Sequence, residues 1–113
     1  HGDSDDFDLA VREADARVGR IWRAVQQRER RGERWMMVVT TDHGRDPVTG
    51  RSHGAQSTRE RTTWIVTNQS RLHARFRRGE AAIVDIAPSI LQHLRITAPP
   101  GVAASMDGVS FLR

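Results

Sequence analysis

The 113-residue chain contains no cysteine. Disulfides and thiolate metal sites are therefore excluded, and the redox compartment is left open. It contains no lysine either, so the formal charge of +4 rests on arginine alone. No stretch approaches the ~20 apolar residues needed to cross a bilayer, and no membrane span is expected. Aromatic residues make up only 5% of the chain, and few lie among the arginines. Base stacking needs such aromatic platforms. The clusters Arg28, Arg30, Arg31, Arg34 and Arg71, Arg75, Arg77, Arg78 are accordingly read as a solvated helix end and a surface loop rather than a nucleic-acid face.

What is present has a clear order. Phe7, Val11, Ala14, Val18, Ile21 and Val25 recur at spacings of four, three, four, three and four. This predicts one face of a long amphipathic helix, capped by Asp5 or Asp6 and stopped at Gly32. Trp35–Thr41 is short and almost uniformly apolar, and reads as a central strand buried on both faces. Residues 42–61, rich in Gly, Pro, Ser and charge, form a long loop of the kind that is usually functional. TTWIVT, residues 62–67, predicts a second strand. Residues 85–96 predict a helix capped by Asp85, with Ile86, Ile90, Leu91 and Leu94 on its buried side. The alternation predicts an α/β fold, a parallel-sheet layer flanked by helices.

Ligands in such sheets bind beyond the carboxyl ends of the strands. Asp42 and His43 stand at such an end, and His53-Gly54 follows after nine further residues. Neutral histidine and aspartate suit a divalent ion such as zinc, which takes about four ligands. Asp42, His43 and His53 offer three. Gly44 and Gly54 are expected to permit a bend and a close approach beside them. The same residues also fit a satisfied polar cluster without metal. Ser57 and Thr58 read as loop or cap residues, because no adjacent base marks them as nucleophiles.

Three blocks, taken together, resemble a known family. VVTTDHGRDPVTGRSHGAQSTRERTTWIVTN resembles the alkaline phosphatase superfamily, in particular its nucleotide pyrophosphatase/phosphodiesterase-like branch. HGDSDDFDLAVREADARVGRIWRAV is similar to the helix after that family's Asp-x-x-Gly-His metal motif. IVDIAPSILQHLRI with MDGVSF is similar to its closing segment, with Arg95 where relatives often carry glycine. The resemblance covers nearly the whole chain.

The resemblance implies that residues 1–113 are the C-terminal portion of a three-layer α/β/α catalytic domain. It implies two divalent ions, zinc in most relatives and manganese or another metal as alternatives, roughly 4 Å apart. Asp42 and His43 match ligands of the metal that activates the nucleophile, and His53 matches a ligand of the other. His1 is a further candidate ligand. The implied activity is hydrolysis of a phosphate ester or nucleotide through a covalent phospho-enzyme. The Thr or Ser nucleophile would come from the remainder of the parent domain. The alternative, from a different class, is a non-catalytic arginine-rich α/β module that binds phosphate-bearing or nucleic-acid partners.

Overall fold

A computed structural model describes residue 2 and residues 4–113. The chain forms two compact units. One takes the residues up to Trp35 together with His43–Thr62; the other takes Met36–Asp42 and Thr63–Arg113.

The first unit is built on α1, Asp5–Glu29. Its N-cap is Ser4, one residue before the expected aspartates, and the Ser4 hydroxyl accepts the Phe7 N–H at 3.4 Å. Asp5, Asp6 and Asp8 occupy the first turn, where negative charge faces the positive helix end. The apolar stripe is present, but only Val25 is buried along the whole helix. The rest of the unit is the His43–Thr62 segment, which contains a single helical turn, α2 at Thr58–Arg61. Ser57 caps α2 and Glu60 closes a reciprocal capping box, the signature that S-x-x-E carries in sequence.

The second unit corrects the predicted fold class. Among the described residues the sheet is a two-stranded antiparallel ribbon, not a parallel layer. β1, Val38–Thr40, pairs with β2, Ile65–Thr67, in the register Val38↔Thr67, Val39↔Val66 and Thr40↔Ile65. Thr40 and Ile65 are partners, so residues 41–64 leave and re-enter at the same end of the ribbon. A parallel pair needs a crossover that carries the chain back along the strand. Here the chain instead returns to the end that it left. An apolar run fixes that a segment wants cover, but not the direction of its neighbour. The expected burial on both faces is also absent: Trp35 is 39% exposed and Val66 57%.

The core of this unit is polar at its centre. The 3-10 turn Ile83–Asp85 runs into α4, Ile86–Leu94. Asp85 stands at the N-cap position of α4, as predicted, but its side chain makes no cap hydrogen bond there. Its carboxylate turns back to accept the Ala82 N–H and reaches across to the Val109 N–H, both at 2.8 Å. Arg75, on the short α3 at Ala74–Arg77, donates to it at 3.0 Å. Ser89 donates to the Asp85 carbonyl at 2.7 Å and accepts the Phe111 N–H at 3.0 Å. Phe111 is fully buried and packs its ring on Phe76, 5.0 Å away. Leu112 bridges antiparallel to Leu72. The expected buried side of α4 is therefore partly wrong: Ser89 is enclosed, whereas Ile90 and Leu94 are exposed. Pro100 opens a last short helix, α5, Pro100–Ala104.

Candidate metal centre

The two histidines of the central loop come together. The His43 and His53 rings stack with centroids 4.1 Å apart and planes 26° from parallel. Both are exposed. His43 Nδ1 lies 2.6 Å from the Gly44 carbonyl. A carbonyl only accepts, so Nδ1 is the donor in this contact, as it is in a histidine that ligates a metal through its other nitrogen.

Two acidic side chains build the loop that holds this pair. Asp46 accepts the N–H groups of Val48 and Thr49 on one carboxylate oxygen, at 3.0 and 2.7 Å. The other oxygen accepts the Ser52 N–H and the Thr49 hydroxyl, both at 2.9 Å. These bonds, the Thr49 and Ser52 amides foremost, hold the Asp46 carboxyl far below the usual range. Glu60 accepts the Ser57 hydroxyl and the N–H groups of Ala55 and Ser57. The Ser57 hydroxyl is the main cause of its lowered pKa. His53 and Gly54 thus lie between two pinned amides, Ser52 on Asp46 and Ala55 on Glu60.

His43 is fixed from the same acid. The Gly44 N–H donates to the Glu60 carbonyl at 2.7 Å. A Cβ on Gly44 would stand 1.8 Å from the Arg59 carbonyl oxygen, so only glycine admits α2 this closely. Gly54 has a different reason from the one expected. No atom approaches where its Cβ would be, and its φ of +105° is what demands glycine. Arg45 ties the loop to the start of α1. Its guanidinium lies 3.9 Å from the centre of the Phe7 ring and donates to the carbonyls of Gly2 and Gly50 at 2.8 and 3.1 Å.

The boundary between the two units falls between Asp42 and His43. Asp42 is exposed and closes the Met36–Asp42 segment, whereas both histidines belong to the other unit. Among the described residues no three His, Asp or Glu side chains gather as a metal-holding group. His1 lies outside the described residues. A stack at 4.1 Å with nearly parallel planes does not converge two in-plane lone pairs on one ion at ligand-bond length, about 2 Å.

Sequence reasoning missed Asp46 and Glu60, the residues that organise the loop. The signals were there: Asp-Pro and Thr-Gly mark a tight turn, and S-x-x-E marks a capping box. No family model and no solved structure matches the chain. Among the described residues no helix is long and apolar enough to cross a membrane.

Proposed function

We propose that this chain supplies metal ligands to a metal-dependent hydrolase of phosphate esters, related to the nucleotide pyrophosphatase/phosphodiesterase-like branch of the alkaline phosphatase superfamily. The observation that carries this reading is the His43–His53 stack, two imidazoles held side by side by a loop that pins both backbones. His43 would hold one divalent ion and His53 a second. Ions held there would supply charge stabilisation for displacement at a phosphate ester. Zinc fits the donor set, and manganese is the alternative. None of the chain's own residues is assigned as the nucleophile. Ser57 does not compete for that role, since its hydroxyl is committed to Glu60 in the cap of α2.

The reading as an arginine-rich binding module has less support. Arg28, Arg75 and Arg78, three members of the two clusters, are spent on Glu33, Asp85 and Glu80.

The test is zinc titration of the chain followed by the histidine ring resonances. His43 and His53 are expected to shift while His73 and His93 stay in place, and His53→Ala is expected to remove one binding event and keep the His43 response. Equal shifts at all the histidines, or none at His43 and His53, would refute the ligand assignment. The chain alone is expected to leave nitrophenyl phosphate esters intact. Turnover by the purified chain that EDTA abolishes would mean the nucleophile lies within these residues.

A further inference from the structure

We infer that the exposed face of α1 binds a second copy of this chain, with the two helices antiparallel. Three observations lead to this. The first is the stripe itself. Its spacings alternate strictly between four and three, the 3.5-residue repeat that forms a straight seam between paired helices. The second is that the middle of the seam lacks cover: Val11 is 49% exposed, Ile21 57%, and Ala14 is exposed between them. The ends are partly occupied by the chain's own residues, with Arg45 over Phe7 and Val25 buried.

The third observation selects the occupant and its direction. Charge is segregated along the helix. Asp5, Asp6, Asp8, Glu13 and Asp15 stand in the N-terminal half against Arg12 alone. Arg17, Arg20, Arg23 and Arg28, followed by Arg30 and Arg31 just past the helix end, stand beyond the midpoint against Glu29. A parallel pair would set acid beside acid and arginine beside arginine. An antiparallel pair sets the acidic half of each copy along the basic half of the other.

The stripe is also symmetric about residue 16. Turning a second copy end for end places Phe7 opposite Val25, Val11 opposite Ile21 and Ala14 opposite Val18. The exposed Val11 and Ile21 thus meet across the axis, as a self-complementary two-fold interface requires, while Phe7 and Val25 stay engaged within each copy. The small Ala14 beside Val18 lets the axes approach. This inference does not depend on the metal reading.

The absence of cysteine makes a direct test clean. Two single variants of the full 113-residue chain, Val11→Cys and Ile21→Cys, are oxidised separately and as a mixture. Positions 11 and 21 lie about 15 Å apart along a helix, so only the antiparallel pair brings one beside the other across the seam. The mixture is expected to form the mixed disulfide, with little disulfide from either variant alone. Sedimentation of the unmodified chain should show a dimer fraction that rises with concentration and falls several-fold on going from low to high salt. A monomer at every concentration would overturn the inference, and so would efficient disulfide formation by either variant alone or association indifferent to salt. Circular dichroism checks that each variant keeps α1.

Discussion

Glu60 holds Gly44 by its main chain, accepting the N–H at 2.7 Å, while its side chain holds the Ala55 amide. One residue of α2 thereby fixes the backbone on both sides of the histidine stack. Glu60→Ala should leave α1 intact and release His53. The expected readout is loss of the ring-current shifts between His43 and His53 with little change in helical content. Unchanged shifts would show that the stack does not depend on Glu60.

Gly44→Ala should be far more damaging than an ordinary glycine substitution. The new methyl group would collide with the Arg59 carbonyl, which is backbone and cannot swing away. The loop must shift, at a cost of about 3 kcal/mol by comparison with overpacked interiors. Denaturant unfolding of the variant measures it, and a loss below about 0.5 kcal/mol would mean that the approach relaxes freely.

Asp46 and Glu60 predict how the loop responds to acid. Both carboxyls have folded-state pKa values below their ordinary values of 3.8 and 4.5. A depressed folded pKa contributes stability that is fully present above the ordinary value and is lost as pH falls through the folded one. The loop should therefore hold its structure from neutral pH down to the ordinary carboxylate range and loosen progressively below it. Amide exchange at Val48, Thr49, Ser52 and Ala55 against pH follows this directly. Asp46→Asn should raise the exchange at Val48, Thr49 and Ser52 at neutral pH and leave Ala55 protected.

Arg95 closes α4 with φ 57° and ψ 37°, the left-handed conformation that favours glycine. Its own N–H and that of Ile96 return to Gln92 and Leu91, completing the helix exit. Arg95→Gly removes the strain and should stabilise the second unit by about 1 kcal/mol, offset in part by the greater freedom of glycine when unfolded. A rise in thermal midpoint tests this; a fall would show that the arginine side chain contributes more than the strain removes.

Asp85→Ala attacks the opposite kind of position. Asp85 is 1% exposed, and its loss leaves Arg75 and the amides of Ala82 and Val109 without their acceptor. Breaking a buried charged network of this sort costs about 3–5 kcal/mol. Arg75→Ala should cost less, since that side chain is partly in solvent and leaves Asp85 two amide donors.

The helix was legible because a stripe six residues long repeats at one period, and periodicity is a local property. Its cap was displaced by one residue because serine and aspartate compete for the same role at adjacent positions. The sheet was misread because strand direction is set by where the connecting segment returns, and nothing in Trp35–Val39 encodes that. At the candidate site, Asp-His-Gly and His-Gly marked the two rings that meet, His43 and His53. Asp42 joins no described metal-holding group, because adjacency along the chain is not adjacency of side chains. The polar centre around Asp85 was read only as a cap, since its partners Arg75 and Val109 lie 10 and 24 residues away in sequence.

Val109 and Phe111 complete the hydrogen bonding of Asp85 and Ser89, which the ribosome makes more than 20 residues earlier. A nascent second unit therefore waits with a carboxylate and a hydroxyl in place and no apolar centre to enclose them. Phe111 delivers that centre in a single step when it emerges. Until then the unit exposes the unfinished surface that makes partly folded chains prone to misassembly. Any pause in synthesis before Phe111 has left the ribosome would lengthen that exposure.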